Sequence, residues 1–167
     1  MALKLPEILT EEDLVEVVEK TKKPHHKLAF MLGFYECMRI GEIVKLKQEN
    51  IHRGLKEIHI KLGKGGKDRN ISISPKVWNG LKFIPISCGV RALQYAFKKK
   101  CKEVLERDDL KFHSLRHSGI THYLVKEGWD GLMVQRLAGH SSIKTTMIYT
   151  HISPQDLVGE MWKDVKI

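Results

Sequence analysis

Apolar positions fall at helical spacing along most of the chain and alternate strictly only once. Thr10 followed by Glu11, Glu12 and Asp13 predicts a helix start, with a carboxylate where a capping box wants one. Leu14, Val15, Val17 and Val18 then supply the buried stripe. A second helix is predicted from about Lys27 to Met38 on Leu28, Met31, Leu32 and Tyr35, ending at Arg39. A short helix carrying Ile43, Val44 and Leu46 follows. Ile58, Ile60 and Leu62 alternate with His59 and Lys61; Gly63-Lys64-Gly65-Gly66-Lys67-Asp68 turns; Ile71 and Ile73 alternate with Ser72 and Ser74 up to Pro75. That segment predicts a β-hairpin with a lysine-bearing glycine tip. Helical spacing returns at 76–82, in the longer 90–106 stretch (Leu93, Ala96, Phe97, Cys101, Val104, Leu105), and at 114–127, 130–138, 142–149 and 154–163. With no internal repeat or linker, the expectation is one mainly α domain over residues 1–167 with a small antiparallel sheet, an α+β fold.

Composition narrows the function classes. The 167 residues carry 29 Lys plus Arg against 20 Asp plus Glu, a formal net charge of +9, and are 42% hydrophobic. The balance fits a globular chain, and no apolar run approaches the ~18 residues of a membrane span. Acids stand where a signal peptide would need its apolar region, so a cytoplasmic protein is expected, with no membrane partner. Cys37, Cys88 and Cys101 form no CxxC pair and read as reduced, packed thiols. Charge is segregated: residues 1–20 hold two cations against six acids, residues 53–82 eight against two, and residues 91–107 six against two. A basic middle behind an acidic end points to a polyanion, nucleic acid before anionic membrane.

Within this frame a few residues can carry chemistry. His113 and Arg116, three apart at the start of a helix, share a face and suit a phosphate or carboxylate. The same segment could be a capped, hydrogen-bonded pair, or His113 with His117 could bind metal. The zinc-protease pattern, however, needs Glu after the first His, where Ser114 stands. The GKGGK tip lacks the spacing and the Ser or Thr of a phosphate-binding loop, and its lysines are free to reach into a DNA groove instead. Gly139-His140 closes one helix and Ser141 or Ser142 caps the next, which carries Thr145, Thr146 and Tyr149, nine residues beyond His140. Taken alone, Tyr149 is an ordinary half-buried anchor.

Four segments taken in order change that reading. Cys37-Met38-Arg39-Ile40-Gly41-Glu42-Ile43 resembles the first arginine box of the tyrosine recombinase (phage integrase) family, and Gly63–Arg69 resembles its lysine hairpin. His113-Ser114-Leu115-Arg116-His117-Ser118 is similar to its His-x-x-Arg box, and Leu137–His151 to its final box, including the interval from His140 to Tyr149. The resemblance implies a catalytic domain in which Arg39, Lys64, His113, Arg116 and His140 surround a scissile phosphate that Tyr149 attacks. A 3′-phosphotyrosine link would form with no metal, ATP or other cofactor. Lys64, more than Lys67, is the implied general acid and His113 the implied base. Lys67, Arg69 and His117 are expected on double-stranded DNA, with His151 on DNA or packed, and Glu42 is expected to orient the arginine box. Cys37 and Ala138 depart from the family pattern and are expected to touch no catalytic atom. Fuller members carry an N-terminal DNA-clamping domain that this chain is expected to lack. The tail over 153–167 is expected to dock on a neighbouring protomer in a DNA-bound tetramer. A topoisomerase-like relaxing enzyme and a silent DNA-binding module are the alternatives.

Overall fold

A computed structural model describes residues 6–61 and 68–139. Helix α1 (Glu11–Lys20) starts as predicted: the Thr10 hydroxyl accepts from the Asp13 amide at 3.1 Å and the Asp13 carboxylate from the Thr10 amide at 3.1 Å. Helix α2 (Pro24–Tyr35) begins three residues earlier than its apolar spacing implied, because Pro24 is preorganised for a first helical turn. It also ends three residues sooner. Cys37 there takes φ +50°, a left-handed conformation that no helix continues. Seven of its twelve residues are buried, which makes α2 the central helix.

Helix α3 (Ile40–Lys45) and a 3-10 turn lead into a three-stranded antiparallel sheet: β1 (Ile51–His52), β2 (Glu57–Ile60) and β3 (Arg69–Ser72), in that spatial order. The hairpin is β2 with β3, and Ile58 stands opposite Ile71 on the buried face. Strand β1 was not foreseen, since two residues are too few to show a period. The predicted 76–82 helix is α4 (Pro75–Trp78) followed by a 3-10 turn over Asn79–Phe83. Helix α5 (Val90–Leu105) matches its expectation closely. The 114–127 stretch is α6 (Phe112–Thr121) running on into π-helical winding over His122–Lys126, and α7 (Gly131–Ala138) ends the described chain. The observed class is thus the expected one. The predicted helices 142–149 and 154–163 lie outside the described residues.

The core is built where α5 and α6 meet α2. Phe30, Phe97 and Phe112 pack edge-to-face with centroids 5.1 to 6.1 Å apart. Two glycines let α6 approach α2. A Cβ on Gly33 would lie 3.1 Å from the Leu115 Cβ, and a Cβ on Gly119 only 2.0 Å from the Phe34 carbonyl oxygen. A polar tie supports the same contact, the Tyr123 hydroxyl donating to the Tyr35 carbonyl at 2.6 Å, while Ser118 Oγ on α6 accepts from the Leu9 amide ahead of α1 at 2.9 Å. The end of α2 and the later part of α6 are therefore held together by backbone proximity.

Candidate active site

Arg39 and Arg116 come from segments 77 residues apart and meet where α2 ends against α6. Arg39 is the N-cap of α3 and is exposed. Glu42, one turn later, accepts from its backbone amide at 2.9 Å and from its guanidinium at 3.4 Å. Arg116 is only 3% exposed. Its Nη1 donates to the carbonyl of Cys37, while its buried Nη2 has no acceptor among the described residues. Burial, with the neighbouring Arg39 charge, pushes its pKa down to about 10, so it stays cationic at neutral pH. A buried guanidinium beside a second one facing solvent has the charge and donors to bind an anion.

The Cys37 result corrects an expectation. This departure from the family pattern does touch a catalytic-box residue, through its carbonyl and not its thiol. The positive φ at Cys37 turns that carbonyl toward α6.

His113 lies one helical turn before Arg116, on the open side of the site. Partial burial, then the charges of Arg116 and Arg39, lower its pKa, leaving a neutral ring at physiological pH. His117 packs edge-on against it, centroids 4.4 Å apart. Burial, then His113 and Arg116, push His117 down to about 4. An uncharged His117 offers DNA no cation. Among the described residues no group of three or more His, Cys, Asp or Glu is placed to hold a metal ion.

Arg69 is not where a DNA-facing residue would be. Its side chain is 11% exposed, and it grips Glu42 bidentately, Nη1 to Oε1 at 2.8 Å and Nη2 to Oε2 at 3.2 Å. Burial alone would raise the Glu42 pKa, but the hydrogen bonds and charge of Arg69, then of Arg39, hold it below the ordinary value. In the sequence Arg69 looks like one more surface cation beside the hairpin lysines, and nothing in its spacing marks it as internal. Lys64, Lys67, His140, Tyr149 and His151 lie outside the described residues, as do the hairpin tip and the tail over 153–167.

Comparison with known proteins agrees with this geometry. The model of the phage integrase family matches residues 7–156. A tyrosine recombinase of Thermosipho africanus is 30% identical over 174 aligned residues, covering 92% of this chain and 60% of the relative. The tyrosine recombinase XerA of Pyrococcus furiosus is 31% identical, with 92% and 60% covered. The chain thus spans about three-fifths of the length of these relatives. A crystal structure of XerA recombinase superposes with a TM-score of 0.80 at 22% identity, over 99% of this chain and 68% of that one. The XerH site-specific recombinase, in a post-cleavage complex with palindromic difH substrate, gives 0.73 at 26% identity, over 96% and 54%. The fold is that of a tyrosine recombinase catalytic domain. The chain belongs to the phage integrase family.

Proposed function

We propose that this chain is the catalytic domain of a site-specific DNA recombinase that cuts and rejoins strands through a 3′-phosphotyrosine intermediate. The observation that carries the reading is the buried Arg116 guanidinium, one arm fastened to the Cys37 carbonyl and the other without an acceptor among the described residues, next to the exposed Arg39. Two such guanidinium groups suit a phosphodiester. Its non-bridging oxygens gain negative charge as the phosphorus becomes five-coordinate, and two permanent cations stabilise that charge where a metal ion would elsewhere. The relatives' names as recombinases, the palindromic difH substrate of XerH and the circular intermediate DNA bound by the Tn1549 integrase support DNA, here double-stranded, as the substrate.

In the proposed step the phenolic oxygen of Tyr149 forms a bond to phosphorus as the bond to the 5′-oxygen breaks. The phenol proton leaves with help from neutral His113, and Lys64 protonates the departing oxygen, with His140 a further donor to the phosphate. The phosphodiester's free energy is kept in the tyrosyl ester, so a strand hydroxyl can reverse the step without ATP or a metal. Lys67 supports the duplex from the hairpin, and His117 packs beside His113 at the edge of the site. The reading takes the chain as one catalytic unit whose tail over 153–167 joins a neighbouring protomer in a DNA-bound tetramer.

The test is a nicked suicide DNA substrate, followed by denaturing electrophoresis and mass mapping of the attached peptide. Wild type should yield an adduct on Tyr149 in excess EDTA, and Tyr149→Phe should yield none while binding DNA comparably. An undiminished adduct in that variant removes Tyr149 from its role, and abolition by EDTA revives the metal alternative. A chain that relaxes supercoiled DNA without site preference favours the topoisomerase-like reading.

A further inference from the structure

Arg69 sits where three separate parts of the site converge. It is the first residue of β3, directly after the segment that bears Lys64 and Lys67. Its guanidinium holds both oxygens of Glu42, the carboxylate that also binds the Arg39 amide and side chain. Its flat face lies on Gly139, the left-handed cap of α7 at φ +69° and the residue before His140. A Cβ at Gly139 would be 2.7 Å from the Arg69 Cζ and 2.8 Å from its Nε and Nη1. The buried Nε has no acceptor among the described residues, so the group is placed for what it holds and not for its own full satisfaction.

The electrostatics give this placement a consequence. Glu42 lies between two arginines, and its oxygens are shared. The contact to Arg39 Nη1 is long, 3.4 Å, while that to Arg69 Nη1 is short, 2.8 Å. Without Arg69, the carboxylate would be free to close on Arg39, drawing its guanidinium from the phosphate and cancelling its charge.

We propose that Arg69 is a positioning residue that keeps Glu42 from neutralising Arg39, and that it ties β3, the arginine box and the end of α7 at Gly139 into one register. The inference rests on the recombinase reading for its rate consequence but not for its electrostatic core, so it has two readouts. One is the single-turnover rate of covalent adduct formation at saturating suicide DNA, per folded molecule. The other is binding of inorganic phosphate, followed through the Arg39 and Arg116 side-chain resonances by NMR.

Arg69→Met should slow adduct formation by about 10-fold to 100-fold, the scale on which outer partners tune the groups they orient. Phosphate binding should weaken in parallel, and Arg69→Lys, with one ammonium in place of a fork, should fall between. Adding Glu42→Gln to Arg69→Met removes the competing carboxylate and should restore at least part of both losses. A merely structural arginine predicts no such restoration per folded molecule. Arg69→Met matching wild type in both readouts, or a double variant no better than the single one, overturns the proposal. Should Arg69→Met not fold, Arg69→Lys with and without Glu42→Gln decides by the same comparison. Should wild type form no adduct while the phosphate pattern holds, the recombinase reading fails and the positioning role stands.

Discussion

Replacing Glu36 with glutamine removes a charge from the interior without changing its shape. Glu36 follows α2, is fully buried, and accepts from the Ser74 amide at 2.6 Å through Oε1. Its Oε2 is buried with no donor among the described residues. Burial pushes its pKa from 4.5 up to about 7, only partly opposed by the Ser74 hydrogen bond. A carboxyl raised on folding contributes stability that is fully present below its unfolded pKa and lost as pH rises through the folded one. At about 1.4 kcal/mol per pH unit, the interval from 4.5 to 7 makes wild type lose about 3 kcal/mol relative to Glu36→Gln between pH 4 and pH 8. The amide oxygen keeps the Ser74 bond, so that contact drops out of the difference. His26, His113 and His117, all lowered, act in the opposite sense with pH, but they are common to both proteins and cancel. The assay is denaturant unfolding of both proteins at unit steps from pH 4 to pH 8. A stability difference that stays constant within about 0.5 kcal/mol over that range would refute the reasoning and require a donor at Oε2.

Gly119→Ala places a methyl 2.0 Å from the Phe34 carbonyl oxygen and should cost about 3 kcal/mol or more in chemical denaturation; a loss under about 0.5 kcal/mol would mean that α2 and α6 are not in backbone contact. Cys37→Gly removes the thiol but keeps the carbonyl that accepts from Arg116, and glycine adopts φ +50° freely, so single-turnover cleavage should stay within about 3-fold of wild type. A larger loss would give the thiol a role. The His117 ring should remain neutral in an NMR titration until well below pH 6, with its share of stability present above pH 6.5 and lost as pH falls toward 4. Titration near pH 6.5 would contradict its burial.

The helices and the hairpin were legible because each buries one face and so repeats at its own period: the α1 stripe and cap, the α5 stripe, and buried Ile58 and Ile60 on β2 with Ile71 on β3. The ends of α2 were not, since Pro24 acts through φ preference and Cys37 through a turn, and neither enters a hydrophobic period. Arg39, His113 and Arg116 stand out in the sequence through the resemblance of their segments to the family's boxes. What spacing could not carry was partnership. The site of Arg69 on Glu42, and of Arg116 on the Cys37 carbonyl, depends on three-dimensional closure between segments 27 and 79 residues apart. A basic residue beside lysines looks like a surface cation until its carboxylate is seen.

The close seat of Gly119 on the Phe34 carbonyl has a consequence for when the molecule becomes competent. Arg116 lies three residues before Gly119, and the Cys37 carbonyl that orients it lies three residues after Phe34. One interhelical contact therefore brings the two guanidinium groups together at once. A nascent chain still lacking α6 has Arg39 without Arg116, and thermal parting of those two helices separates the pair in the same event.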